Sequence, residues 1–154
     1  MLSKIYYRLL YITFKIYCFI FRPIRMGVRV MMIADDKVWL VQHTYLSGWF
    51  MPGGGAKKWE ALDQAARREA REETGAELGE ISLVGMFTSY AQWKTDHIAV
   101  FLCKDFKFVG KSDAEIAELR LFPLNDLPEN TYTSHRNLLE NYHAGETISN
   151  VGEW

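Results

Sequence analysis

The chain has little of several things that would place it quickly. Only two cysteines occur in 154 residues, Cys18 and Cys103, far apart and without metal-ligand spacing. They read as reduced core thiols of a cytosolic protein rather than as a metal centre. Excess charge is missing too: the net charge is −1, which gives no overall case for a nucleic-acid binder. No internal repeat or low-complexity segment is present. Nor is there an apolar run of the ~18 clean residues that a membrane span needs, because Arg8 and Lys15 interrupt the N-terminal one. No small-residue cleavage site follows that run, which argues against a signal peptide. What remains is ordinary globular composition, 49% apolar and 24% charged, and a length that suits one domain with a real core.

One absence is local. Residues 1–25 carry Lys4, Arg8, Lys15, Arg22 and Arg25, and the first acid is Asp35. The leader is therefore +5, and the remaining 13 bases and 19 acids leave the rest at −6. On a helical wheel Lys4, Arg8, Lys15 and Arg22 share a stripe of roughly 40°, and most of the remaining circumference is aliphatic or aromatic. Residues 1–25 are thus expected to form a basic, apolar N-terminal helix ending at Pro23. Two readings stay open for it. One is an interfacial helix lying on an anionic membrane through residues 1–22. The favoured one is a terminal helix docked on its own domain or on a dimer partner, because interfacial helices usually carry a broader polar face.

A domain over residues 26–145 is expected next, followed by a tail without periodicity at 146–154. "GVRVMMIADDKVWLVQH" reads as a hairpin turning at Asp35-Asp36. Gly48 and the run Pro52-Gly53-Gly54-Gly55 then break the pattern. A helix is expected from Trp59 to about Thr74, capped by Gly75. Two β-rich runs follow, joined at residues 93–96. Then come a polar loop over 110–118, a short strand "LRLFPL" and a second helix, "SHRNLLENYHA". Strands interleaved with helices imply an α/β/α sandwich around a mixed β-sheet.

The helix after the glycines holds an oddity. Glu69, Glu72 and Glu73 crowd one turn, where like charges repel. Leu62, Ala65, Ala66, Glu69, Glu72, Glu73 and Ala76 fall within roughly 120° on the wheel, and Asp63, Gln64, Arg67, Arg68 and Arg71 lie opposite. The acids therefore continue the stripe that packs on the sheet. Partly desolvated carboxylates this close raise each other's pKa unless a cation neutralises them, and a hard ion with oxygen ligands, Mg²⁺ or Mn²⁺, does so. A glycine-rich turn beside such a helix lets a ligand approach closely and exposes backbone N–H groups, which points to a phosphate substrate at Gly53, Gly54 and Gly55.

These residues also carry a resemblance. Gly54, Glu60, Arg68, Glu69, Glu72, Glu73 and Gly75 match the Nudix box at every defined polar and glycine position. Its two apolar positions hold the small residues Ala70 and Ala76. The chain thus resembles the Nudix hydrolases from about Met26 to His143, and the leader has no counterpart in the minimal domain. The resemblance implies Mg²⁺- or Mn²⁺-dependent hydrolysis of a nucleoside diphosphate linked to another group. Glu69, Glu72 and Glu73 would be metal ligands. Arg68 would orient a box glutamate, Glu60 would be a supporting carboxylate, and Gly54 and Gly75 would set the loop geometry. For the base, a box glutamate such as Glu69 or Glu72 competes with a later acid among Asp113, Glu115 and Glu118. Glu118 is the preferred late candidate, as base or extra ligand.

Tyr90 and Trp93 are expected near the cleft, where either would stack on a nucleobase. His97 is expected to make one strand-end hydrogen bond, and His43 is divided equally between substrate contact and core packing. The marks of the ADP-ribose, dinucleoside polyphosphate, coenzyme A and NADH branches are absent. A nucleoside triphosphate or a small nucleotide conjugate is the resulting expectation. Capped or triphosphorylated RNA is disfavoured, because no basic groove accompanies the box. The competing class is a Nudix-fold sensor or interaction module that docks through its leader. Such proteins usually lose box carboxylates, and none is lost here.

Overall fold

The computed structural model describes residues 2–148 and 150–154 of the chain. A long helix, α1 (Leu2–Phe21), leads into β1 (Ile24–Ala34) and β2 (Lys37–His43). The Box helix is α2 (Leu62–Thr74), followed by β3 (Ala76–Leu78), β4 (Ile81–Ser89), β5 (Thr95–Cys103), β6 (Phe106–Phe108) and β7 (Ile116–Pro123). Helix α3 (Thr133–His143) and β8 (Val151–Glu153) complete the chain. Six strands form one mixed sheet in the order β7-β2-β1-β5-β4-β8, and β3 pairs with β6 separately.

Alternation along β1 builds the two layers. Val28, Val30 and Met32 point to one face, where they pack with Ala65, Ala66 and Ala70 of α2. Met31 and Ile33 point to the other, where they pack with Leu138 and Leu139 of α3. Successive strand residues face opposite sides, so a strand covered on both faces reads as a continuous apolar run. The small alanines let α2 lie close to the sheet, so the carboxylates further along it are carried inward. The result is the expected α/β/α sandwich around a mixed sheet, with an added N-terminal helix.

The β1–β2 hairpin turns at Asp35 and Asp36, both in the left-handed region at φ 50° and 55°. Two consecutive positive-φ residues match the right-handed twist of the flanking strands, and Ala34 pairs with Lys37 across the turn. Beyond the hairpin β2 diverges, and the glycine loop takes over the vacated edge of β1. Val28 N–H donates to the Gly54 carbonyl at 2.9 Å, and Val30 N–H to that of Pro52 at 2.8 Å. Gly53 is required there. Its φ is 143°, and a Cβ would stand 2.1 Å from the Val28 carbonyl oxygen.

Three expectations shift. Helix α2 starts at Leu62 rather than Trp59, because Trp59 is left-handed (φ 67°) and residues 57–60 form a turn of their own. In that turn Lys57 N–H donates to the Glu60 carboxylate at 2.8 Å. Strand β7 starts at Ile116, inside the stretch read as a loop, because Ile116 to Pro123 pair along β2. The tail is ordered as β8, parallel to β4, and Trp154 packs its ring 5.4 Å from Phe87 and 5.2 Å from His135. That anchor is half-buried, so Trp154→Ala is expected to lower stability by about 2 kcal/mol, read as a shift in urea midpoint.

Candidate active site

Helix α2, the glycine loop and the β2 and β7 ends enclose a cleft of about 440 Å³. Glu69, Glu72 and Glu73 line it together with Arg29, His43, Tyr45, Gly53, Gly54, Gly55, Asp113 and Glu115. The three crowded acids are graded by depth. Glu73 is buried, Glu69 has a largely covered side chain, and Glu72 stands at the rim with 42% of its side chain exposed.

Arg68 organises two of them. Its Nη1 donates to Glu69 at 2.7 Å and to Glu72 at 3.0 Å. The other edge forms a fork onto Glu60, with Nε at 2.7 Å and Nη2 at 2.9 Å, and Nη2 also reaches the Gly55 carbonyl at 3.0 Å. The wheel set Arg68 opposite the acids. Its length and planar fork instead bring it back among them, and its side chain is only 18% exposed. Arg68 holds Glu60 well below the usual carboxylate range.

Glu73 is tied to the loop. Gly53 N–H donates to its Oε2 at 2.8 Å, and the His43 Nε2 stands 3.8 Å from its Oε1. The glycines therefore act first as close-packing positions. A Cβ on Gly54 would come within 2.7 Å of the Glu69 carboxylate, so a side chain there would displace that acid from its place on Arg68. Burial pushes Glu73 up to about 8, opposed by Arg29 and by the Gly53 N–H. Burial also raises Glu69, against the pull of Arg68. His43 is pushed down to about 4 by burial and then by Arg29, so it is neutral. Its Nδ1 is buried and has no hydrogen-bond partner among the described residues.

Arg29 was not singled out in the sequence. It donates to the Met51 carbonyl at 3.2 Å and to that of Gly53, which places a cation against the acidic cleft. The signal was a single charge inside "MGVRVMMI". Tyr45 donates to Glu115 at the cleft wall.

The late acids separate. Asp113 and Glu115 line the cleft, and Glu118 does not. Glu118 pairs across the sheet with Gln42, one residue before His43, and a register break follows between Gln42 and His43. Cross-strand partners share a face, and neighbours along a strand do not. With His43 facing the cleft, Glu118 faces away from it and pairs with Arg120. Tyr90 and Trp93 are also outside: they are 65% and 56% exposed, and Trp93 packs edge-on against Phe19 of α1. A second cavity, of about 270 Å³, adjoins the cleft through Arg29, Tyr45, Leu46 and Phe50. Its other walls include Tyr11 and Phe14 of α1, Tyr132 and Trp154. His97 makes a hydrogen bond to Thr88 at 3.0 Å.

Among the described residues no three acids or histidines already close on one point as a formed metal site. The donor chemistry nonetheless suits a hard divalent cation: the three box acids supply carboxylate oxygens, without thiolates. Burial raises Glu69 and Glu73, and a cation held among them would offset the cost of their charged forms.

A sequence model of the NUDIX domain matches residues 23–142. A Bacillus subtilis (strain 168) protein described as the uncharacterized Nudix hydrolase YvcI is 31% identical over 100 residues, 61% of this chain. The match spans 63% of that relative's length. Among solved structures, a MutT NUDIX hydrolase from Burkholderia pseudomallei superposes with a TM-score of 0.67 at 25% identity. It covers 76% of this chain and 96% of its own. A NUDIX hydrolase from Nitrosomonas europaea gives 0.70 at 23% identity, covering 80% and 91%.

The protonated Glu73 has a measurable consequence. Its folded pKa lies above the unfolded value near 4.5, so its contribution to stability is full below that value and is lost as pH rises through about 8. Metal-free protein is expected to lose urea stability progressively between about pH 5 and about pH 8 and to level off above that, and Glu73→Gln to flatten that slope.

Proposed function

The chain belongs to the Nudix hydrolase family, and from that premise we propose that it hydrolyses a pyrophosphate bond in a nucleoside diphosphate linked to another group. The substrate is a nucleoside triphosphate or a small nucleotide conjugate. The reading is carried by one observation: Glu69, Glu72 and Glu73 line one cleft faced by the glycine loop, with Arg68 clamping the first two and Gly53 N–H tying the third.

Glu69, Glu72 and Glu73 would hold Mg²⁺ or Mn²⁺, which supplies neutralisation of the phosphates and a more acidic bound water. Arg68 fixes Glu69 and Glu72, so that neither reorganises as charge develops. Gly53 N–H and Arg29 support the deprotonated form of the deep Glu73. Gly54 lets the loop backbone lie close over the Glu69 carboxylate. Glu69, Glu72 and Glu115 are the candidate acceptors of the proton of the attacking water. Glu115 is oriented by the Tyr45 hydroxyl and lines the cleft, which favours it over Glu118 for that role. The aromatic cavity beside the cleft takes the nucleoside, with Tyr45 and Phe50 in the position first assigned to Tyr90 and Trp93. Both cysteines are free and buried, which supports a reducing compartment such as the cytoplasm.

The test is phosphate or pyrophosphate release from nucleoside triphosphates and nucleotide conjugates with Mg²⁺ or Mn²⁺. Glu72→Gln and Glu73→Gln are each expected to lower kcat/KM by about a hundredfold or more. Arg68→Ala should cost about ten- to a hundredfold, because it acts through its partners. Chelation should abolish turnover, and divalent metal should restore it. Metal binding without turnover on any substrate would favour the sensor reading.

A further inference from the structure

Helix α1 meets the domain along a narrow strip. Cys18 is fully buried, and Tyr7, Tyr11 and Phe14 are half-buried beside it. Tyr7 and Tyr11 lie 6.3 and 5.7 Å from Tyr45, and Arg25 stacks 4.8 Å from Phe14. Everything on the other side is open. Ile5, Leu9, Ile12, Ile16, Ile20 and Phe21 are 48–67% exposed. Phe19 borders this side and packs edge-on against Trp93; at about 100° per residue, the side chains from Ile12 through Ile16 and Leu9 to Phe21 span roughly 180° without a charge. A soluble surface rarely leaves so long an apolar face uncovered.

The cations are placed with equal order. Arg8, Lys15 and Arg22 are exposed and lie in a ridge between the docked strip and the apolar arc. With the arc sunk into acyl chains, that ridge stands at the depth of lipid phosphates. Ile24 is 75% exposed, and it lines a groove with Arg25, Lys57 and Lys58. The next residue, Trp59, is 92% exposed, and the Lys58 ammonium lies 5.2 Å from its ring. An open tryptophan beside lysines is a membrane-interface pairing.

We propose that α1 is an interfacial helix that seats this protein on an anionic bilayer. A second copy of the helix fits less well, because no acid precedes Asp35 and two basic ridges would meet without countercharge. A span is also unsuitable, since no described helix is long and apolar enough to cross. Because Tyr11 and Phe14 wall the aromatic cavity, the docked helix brings that cavity alongside the membrane. Membrane docking does not depend on the hydrolytic reading, and either can fail alone.

The experiment is flotation of the full chain with vesicles of phosphatidylcholine alone or with about a quarter phosphatidylglycerol, at low salt and at about 0.5 M salt. Arg8→Glu/Lys15→Glu and Leu9→Asp/Ile16→Asp are run beside it, with circular dichroism to confirm folding and light scattering for mass. The wild type is expected to float with the anionic vesicles, weakly with neutral ones and less at high salt. The charge variant should lose roughly tenfold in partitioning, and the apolar variant should lose detectable binding, both with an unchanged thermal transition. No flotation by the wild type, or equal flotation by folded variants, overturns the proposal. So does a lipid-free dimer, without vesicle affinity, that Leu9→Asp/Ile16→Asp converts to monomer; that result assigns the arc to a second copy.

Discussion

Two carboxylates drawn inward on one helix turn set the terms for the surrounding structure. Glu69 and Glu73 ride on α2 beside Ala65, Ala66 and Ala70, and those alanines are small enough to let the helix backbone approach the sheet. Desolvation then opposes ionisation of both acids. The neighbouring groups answer that cost. Arg68 spans Glu60, Glu69 and Glu72, while Arg29 reaches across the loop from the middle of β1. The glycine loop closes on the helix through the Gly53 N–H and the Gly54 contact, where a side chain would displace the Glu69 carboxylate. Charge, backbone and packing all converge on one cleft.

The cleft gains its second half from elements remote in sequence. Tyr45 follows β2 and Glu115 precedes β7, and their hydrogen bond ties the two together at the cleft wall. Tyr132, Trp154 and two side chains of α1 complete the aromatic cavity beside it. Thus the N-terminal helix and the last residue of the chain, at opposite ends of the sequence, wall the same space. The helix meets the domain through one strip and presents a broad apolar arc on its other side.

Local patterns carried much of the fold and the acidic half of the cleft. The Asp35-Asp36 turn, the alternation of β1 and the Gly75 cap each follow from residues close together in the chain, so they were legible. The box residues were legible for the same reason: one helix turn and the loop before it bring them together. The aromatic wall was not. Tyr90 and Trp93 lie near the cleft in sequence, but the turn after β4 directs them toward α1 and solvent. Trp154 was hidden in a stretch without periodicity, because a three-residue edge strand is too short to show any.

The residues alone determined that three acids share one turn, that glycines precede them, that the strands form a covered mixed sheet, and that the first 34 positions hold bases without acids. These are properties of spacing, and spacing within a helix or strand fixes direction. Tertiary structure decided which distant groups meet there. Arg29 faces the cleft because the loop takes the edge of β1. Glu115 lines the cleft and Glu118 does not, because Glu118 is paired along β2 with Gln42, next to a register break that no local pattern shows. Which arc of α1 is covered depended on the rings it meets, Tyr45 above all, since an amphipathic pattern specifies the helix but not the surface on which it rests.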